Sequence, residues 1–499
     1  MGEKITLKST GLAKIRDINP LLVSYNIEFA EVTGGTFWKA YTPEQVAGTE
    51  EFVPGETMAS MMQIYPPVNL AEANILTLAK AMGPCYIRVS GTWSTTTYMD
   101  LKGETGGTPP AGYRAVLTRE QWDGVLDFVR AVGGKLLITV SNCEGDHSAH
   151  EPWPTDKATE LLDYSAAYGV PISAVEFTNE PNGYNMTGTP KGYTQADFGR
   201  DQDIFFRFIR ENYPDITVVG PSVAFDDIPG TKFHEAAQTE LAQTEHFQLY
   251  STASLLAACK EKADVFSYHC YYGISQRGGK IVAPWKAEDA LTEKYLDLVE
   301  TNLRYYIPLR DQYVPGGEIW VTETGDAGGG GHTWACTCME MVRTADEIGR
   351  FVKLTDGILF HNTLASSTYG YLDHATHLPR PSYWVVYLWK QLMGDTVFET
   401  GEPIREGAHV FAHSRKDGKP GYAYAVVNNS PSEATVVTLP AEAVVYQLTG
   451  ESKRATTALL NGKPLTYEPG SGEPMIVGRE AATGELELPP VSVTYLVIG

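Results

Sequence analysis

The stretch ISAVEFTNEPN, residues 172–182, decides the architecture. Its first part, Ile172–Thr178, is short, apolar and β-branched, the texture of a strand buried on both faces. It ends on the polar pair Asn179-Glu180 and the turn-forming Pro181. Seven other runs share that texture: Leu21–Glu28, Cys85–Ser90, Lys135–Ser141, Ile216–Pro221, Val265–His269, Glu318–Thr322 and Gly357–His361. Helical patterns lie between them, at Asn69–Met82, Thr118–Val132, Thr155–Tyr168, Gln195–Asn212, Glu240–Lys262, Ala287–Gln312 and Met339–Leu354. Thr118 reads as a helix N-cap, with Glu120 and Gln121 in the first turn. Alternating strand–helix units build parallel sheets with right-handed crossovers. Eight units over about 370 residues predict an α/β fold of the (β/α)8 TIM-barrel type rather than an open sheet. No GxGxxG follows any strand, so a dinucleotide fold has no support.

After Gly394 the texture changes. Val397–Pro403, Ala408–Arg415, Gly421–Asn428, Thr435–Leu439, Val444–Leu448 and Val491–Ile498 are short and alternating, with Gly, Pro, Asn and Ser between them. This predicts a C-terminal antiparallel β-sandwich of about 100 residues. Lys4–Lys8 precedes the barrel and is expected to join that sandwich. The expected organisation is therefore an N-terminal strand in 1–14, a catalytic barrel in 15–394 and the sandwich in 395–499.

Composition narrows the function classes. The chain has 499 residues, 43% hydrophobic and 20% charged, which excludes a mostly disordered or fibrous protein. Lys plus Arg number 39 against 61 Asp plus Glu, a net charge of −22. That argues against nucleic acid as partner, and more weakly against a highly sulfated chain as substrate. No run of 18 apolar residues exists, so no membrane span is expected. The opening MGEKITLKST has no apolar leader core, which predicts a cytoplasmic chain or one whose signal peptide is already removed. Six cysteines without a CxxC pair are expected to be free thiols. The N-x-S/T matches at Asn185 and Asn428 read as chance. The oligomeric state is left open.

Barrel enzymes carry their catalytic groups at the C-terminal strand ends. There the fourth strand presents Glu180, and the seventh presents Glu323 in TETG. Strands four and seven face each other across an eight-stranded mouth. A lone Glu after a strand is usually a cap or an ion-pair partner, but two that face each other suit glycosidic bond cleavage. Repulsion and burial would hold Glu180 protonated as the acid and leave Glu323 ionised as the nucleophile. Asn179 is placed to bond the sugar 2-OH. Retention of configuration predicts a carboxyl separation of ~5–5.5 Å. The loop Asn142–Pro154 carries Glu144, Asp146, His147 and His150, but in no metal-ligand spacing. It is expected to form a wall of the cleft, and neither metal nor cofactor is expected. Trp93 reads as a sugar platform or as a core ring.

These motifs resemble clan A retaining glycoside hydrolases, and in particular glycoside hydrolase family 79, the heparanase and β-glucuronidase family. VTETGDAGGGGHTW, residues 321–334, is similar to that family's nucleophile and glycine-rich loop. The resemblance implies that backbone amides at Gly329 and Gly330 hold a uronic acid carboxylate, with Tyr369 of TYGYLD touching the same group. SYHCYYG places His269 and Tyr271 where the family has a His and a Tyr near the nucleophile. YIRVSGTW aligns Arg88 and Thr92 with an Arg-x-Gly-Gly-Thr region. Arg88 is expected to orient a catalytic glutamate or to form a barrel-interior ion pair. PRPSYWVVYLWKQLMG and LPPVSVTYLVI resemble the helix leading into the sandwich and the last strand. The chain departs from the family pattern after the first strand, where Asn26 and Glu28 stand in for its Asp and Asn. It also has Gly328 where the heparanases have Tyr. The implied activity is a retaining β-glucuronidase acting on a carbohydrate, most simply an exo-acting one that removes a terminal, optionally 4-O-methylated, glucuronic acid. A heparanase-like endo-enzyme, a clan A glycosidase of neutral sugars and a non-catalytic glycan-binding protein are the alternatives.

Overall fold

Eight parallel strands close into a barrel in chain order: β1 (Val23–Glu28), β2 (Tyr86–Ser90), β3 (Lys135–Thr139), β4 (Ala174–Glu176), β5 (Thr217–Val223), β6 (Val265–Tyr271), β7 (Glu318–Gly325) and β8 (Leu359–His361). The computed structural model describes residues 4–238, 249–279 and 282–499. Each of the eight apolar runs supplies one strand. The lumen shows the strand period of two. Tyr86, Leu137, Ala174, Val219, Val265, Trp320 and Phe360 pack as an apolar layer. Two residues further along β2 and β4 come Arg88 and Glu176, which begin a polar layer directly below the mouth.

Local chemistry explains the elements around the barrel. Thr118 accepts a hydrogen bond from the Gln121 N–H, and the Gln121 side-chain oxygen accepts one from the Thr118 N–H, so a capping box starts the helix Arg119–Val132. Gln195–Asn212 is helical over the expected length. The pattern at Ala287–Gln312 is only partly helical: Thr292 caps a short turn, Glu293–Leu296, and Leu298–Tyr313 follows. Of the expected helix Glu240–Lys262, residues 240–248 lie outside the described residues, and Thr252–Ala258 is helical.

The C-terminal strands build a mostly antiparallel sheet running Met393–Glu399, His409–Arg415, Tyr422–Asn428, Ser492–Ile498 and Ala443–Thr449, with Ala13–Asp17 at its edge. A second, three-stranded sheet sets Lys4–Thr6 beside Thr435–Leu439, itself paired with Gly484–Leu488. Ile5, Val410, Tyr424, Val437, Val445, Leu486 and Leu496 fill the space between the two sheets. Asn428 is fully buried and donates to two backbone carbonyls, so it is no acceptor for a glycan. All six cysteines are free.

Two small strand pairs, the first antiparallel and the second parallel, are absent from the sequence reading and shape the mouth. Gly35–Trp38 pairs with Met62–Tyr65, and Thr97–Asp100 with Ala115–Thr118. The second pair also accounts for a correction. The loop 142–154 contributes nothing to the central cavity, which Thr96, Arg114 and Ala115 line instead. The loop folds on itself: Asp146 accepts from Ser141, the Cys143 N–H and Tyr113, while His147 contacts Asn142 and the Glu151 carbonyl.

Candidate active site

Backbone geometry aims the two glutamates at each other. In β7 the register against β6 slips by one residue, so Tyr268 faces Val321 and His269 faces Glu323, with Thr322 the extra residue. Such an irregularity re-aims the side chain that follows it. Glu180 sits beyond the end of β4 with a positive φ of 49° and starts the turn Pro181–Gly183. Its N–H bonds the Ser222 carbonyl at 3.0 Å, which fixes this uncommon conformation. The carboxylate oxygens of Glu180 and Glu323 come within 4.8 Å of one another, with the His269 ring nitrogen inside the same radius.

Beneath this pair lies Arg88, fully buried. Its guanidinium bonds Glu323 at 2.9 Å, Glu176 at 2.9 Å and the Asn179 Oδ1 at 2.8 Å. It contacts Glu323 and not Glu180, and it does not line the cavity. Burial opposes ionisation of Glu176, but the Arg88 charge, with hydrogen bonds from Arg88, Ser222 and Thr139, holds its carboxyl below the usual range. Tyr271 donates to the other Glu323 oxygen at 2.7 Å. Glu180 has no such cation. Its burial, with the nearby Glu323 charge, raises its carboxyl, against the hydrogen bond from His269 at 2.9 Å. One carboxyl is thus met by two donors while its neighbour is pushed toward the protonated form, the division of labour that acid–nucleophile pairs require.

Around the pair is a cavity of about 960 Å³. Of the residues singled out from sequence, Glu28, Thr92, Glu180, Tyr271, Glu323, Gly329 and Tyr369 line it, together with Trp93. Asn26, Arg88, Asn179, His269 and Gly330 do not. Asn26 donates to the Thr322 carbonyl at 3.0 Å and so braces the irregular residue of β7. The Asn179 Nδ2 is buried without a partner. Glu28 keeps one oxygen on Asn362 at 3.1 Å while the other is buried and unpartnered. Burial, with repulsion from Glu323, raises the Glu28 carboxyl far above the ordinary range. Trp93 lines the cavity and packs on Phe37 at a ring separation of 4.9 Å.

The glycine loop is tied from behind. Arg277, itself buried, donates to the carbonyls of Gly329 at 3.0 Å and Gly331 at 2.9 Å, and Ser275 also donates to Gly329. Gly329, Gly330 and Gly331 all have φ near +80°. The N–H groups of Gly328 and Gly331 bond the carbonyls of Gly273 and Ala327. Those of Gly329 and Gly330 meet no acceptor among the described residues. Successive unpaired amides in such a conformation form an anion-binding concavity.

Three functional residues escaped the sequence reading. Asn362 links Glu28, Tyr271 and Tyr369 through its side-chain amide. It stands directly after β8, at a strand end as Glu180 does, but as an amide in no catalytic motif. Glu176 is the main partner of Arg88 and was hidden inside an apolar run. Trp38 belongs to the unanticipated first hairpin, and its side chain approaches Gly330. Glu180, His269 and Glu323 are the one His/Cys/Asp/Glu cluster among the described residues compact enough for a metal ion, but their facing atoms already pair with Arg88, Tyr271 and each other.

Two facing carboxyls over the mouth of a (β/α)8 barrel with a C-terminal sheet domain make this protein a glycoside hydrolase. Its sequence is similar to heparanase-like, heparanase and hyaluronoglucuronidase proteins. It is 23% identical over 395 residues to heparanase-like protein 1 of Arabidopsis thaliana, covering 76% of this chain and 68% of that protein. It is 22% identical over 384 residues to the hyaluronoglucuronidase of Hirudo nipponia, covering 70% and 71%. For other heparanase-like relatives the matched share falls to about half of their length. The crystal structure of a 4-O-α-L-rhamnosyl-β-D-glucuronidase from Fusarium oxysporum superposes with a TM-score of 0.65 at 11% identity, covering 99% of this chain and 100% of that one. No protein-family model matches the chain.

Proposed function

We propose that the protein is an exo-acting, retaining β-glucuronidase, with residues 15–394 as its catalytic barrel and 395–499 as a supporting sandwich. The observation that carries the reading is the pairing of close, unequal carboxyls with two free amides at Gly329 and Gly330. Glu180 donates its proton to the glycosidic oxygen as Glu323 attacks the anomeric carbon. Glu180, then a carboxylate, takes a proton from water, which releases the sugar from Glu323. The oxygen–oxygen approach within 4.8 Å fits direct attack and leaves too little room for the water of an inverting enzyme. Arg88 and Tyr271 hold Glu323 in place, and His269 steadies Glu180. The glycine amides and the Tyr369 hydroxyl receive the uronate, while Glu28 and Thr92 serve the ring hydroxyls, with Asn179 held by Arg88 behind the cavity wall. Exo action is supported by the strap Trp38–Tyr41 lying against the glycine loop: Tyr41 donates to the Gly331 carbonyl at 3.0 Å, and Arg277 reaches the Lys39 carbonyl.

The test is hydrolysis of p-nitrophenyl β-D-glucuronide beside the β-glucoside and β-xyloside, with Glu323→Gln as control. Selective glucuronide turnover, lost by about 10⁴-fold or more in the variant, is the expected result. Turnover of a neutral glycoside instead would overturn the uronate assignment and keep the two glutamates. Cleavage only of long polysaccharide would favour the endo reading.

A further inference from the structure

The cavity has two chemically different halves. Glu28, Asn362, Tyr271, Tyr369 and Gly329 lie toward Glu323. Beside Glu180 the lining is mostly apolar, with Gly183, Met186, Leu249 and Tyr250, and Phe225 and Phe233 continue that wall toward Tyr271. The chain itself brings them there. The Tyr250 N–H bonds the Asn182 carbonyl at 3.0 Å, two residues beyond Glu180. Gly183 faces the Met186 methyl and a Leu249 methyl. Phe225 packs on Phe233 at 4.5 Å and lies over the Tyr271 ring at 6.4 Å.

Two features of this half stand out. Met186 and Leu249 are 46% and 39% exposed, uncommon for large apolar side chains beside a polar site. Most of its polar groups are also already engaged; the Thr187 hydroxyl, buried without a partner, is the exception. Asn182 exchanges both side-chain hydrogen bonds with the Ala224 backbone, and the Tyr250 hydroxyl bonds the Tyr193 carbonyl. Asp227 at the rim pairs with His234, and Arg114 is the sole Lys or Arg of the lining among the described residues. Among the described residues a second sugar would find few free groups here to bond its hydroxyls, and a sulfated chain would find no cationic row.

Because the acid stands beside the leaving oxygen, this half receives the leaving group. We infer that the leaving-group subsite takes an apolar, ring-bearing alcohol, so that the natural substrate is the glycoside of an aromatic or arylalkyl alcohol and not a polysaccharide. The inference rests on reading the site as a glycosidase, and it deepens the glucuronidase proposal.

The test compares 2-phenylethyl with ethyl β-D-glucuronide, whose leaving alcohols have closely similar acidity. A difference between them therefore reports contact and not leaving-group chemistry. The expected kcat/KM advantage of the phenylethyl compound is about tenfold or more, from burial of one ring. Phe233→Ala should remove most of that advantage, read as the ratio of the two kcat/KM values in the same variant, while Phe233→Leu should keep part of it. The same pair is run as β-glucosides. If the uronate assignment fails, the ratio reappears in the glucoside series and the two readings are separated. If neither series turns over, the dissociation constants of the two glucuronides on the Glu323→Gln protein decide. Equal kcat/KM, equal affinity, or an advantage untouched by Phe233→Ala would overturn the inference. So would a glucuronosyl disaccharide that outperforms the phenylethyl compound.

Discussion

Removing the Arg88 guanidinium would leave Glu176 and Glu323 as buried carboxylates without a counter-charge. Breaking one partner of a buried ion pair costs about 3–5 kcal/mol, so Arg88→Met should lower the urea midpoint clearly and abolish turnover. Arg88→Lys should recover part of the stability but little activity, because a point charge cannot reach Glu176, Glu323 and Asn179 together. An unchanged midpoint in the Met variant would refute this account of the polar layer. The titration of Glu180 gives a second prediction. Its carboxyl is raised by burial, and the acid step needs it protonated. Activity should therefore fall as pH rises through a value above the ordinary carboxylate range. His269 works in the opposite direction by bonding the charged form, so His269→Phe should move the alkaline limb of kcat/KM upward. An alkaline limb that stays in place would exclude that role for His269. Glu180 and Glu323 were legible in the sequence because each follows an apolar run at a place where barrels carry chemistry. Glu176 and Asn362 were not. The first looks like one polar interruption of a buried strand, and the second is an amide without a motif, whose use shows only when Glu28, Tyr271 and Tyr369 converge on it.

The glycine loop works as an element whose conformation, more than its side chains, presents the two free amides. A Cβ on Gly330 would come within 2.6 Å of the Trp38 Cβ and 2.7 Å of the Ser367 hydroxyl, at a φ of +84° that already disfavours any side chain. Gly330→Ala should therefore push the loop off the hairpin and raise KM for the glucuronide by about tenfold or more, as the loss of charged-group hydrogen bonds would. Gly107→Ala is the matched control: its φ is +83°, but open space surrounds it, so only the conformational strain is shared. Equal KM values in the two variants would show that the loop does not contact the substrate. At this scale the eight barrel strands were readable, because strands buried on both faces advertise themselves as apolar runs. The hairpin Gly35–Trp38 with Met62–Tyr65 was not readable. Its strands are four residues each, mixed in polarity and separated by a long loop, and hydrogen bonds more than hydrophobic burial define them.

The barrel and the large sheet are joined by charge as well as by apolar packing. His409, in the sheet strand His409–Arg415, is buried with Asp346 on its Nδ1 and Glu293 on its Nε2 at 2.8 Å. Asp346 belongs to the helix Cys338–Leu354 of the barrel, and Arg350 on the same helix bonds Asp346 at 2.8 Å and Glu293 at 3.2 Å. Burial opposes protonation of His409, yet the two carboxylates outweigh it and push the imidazole up to about 9 from 6.5. None of this could be read from sequence, where His409 stands 63 and 116 residues from its partners. The linkage has a definite sign. The folded pKa is raised, so the contribution is complete below about pH 6.5 and is lost as pH rises through about 9. A rise of that size corresponds to about 3 kcal/mol. Wild-type protein should therefore lose thermal stability between pH 7 and 10 more steeply than His409→Gln, with the two curves converging at the alkaline end. Calorimetry at constant ionic strength reads both curves. Parallel curves would show that the His409 proton contributes nothing to holding the two parts together. If the steeper loss appears in one transition that carries the whole enthalpy, sheet and barrel unfold as a unit. If it appears only in an early, small transition, the sheet detaches first and the barrel stands without it.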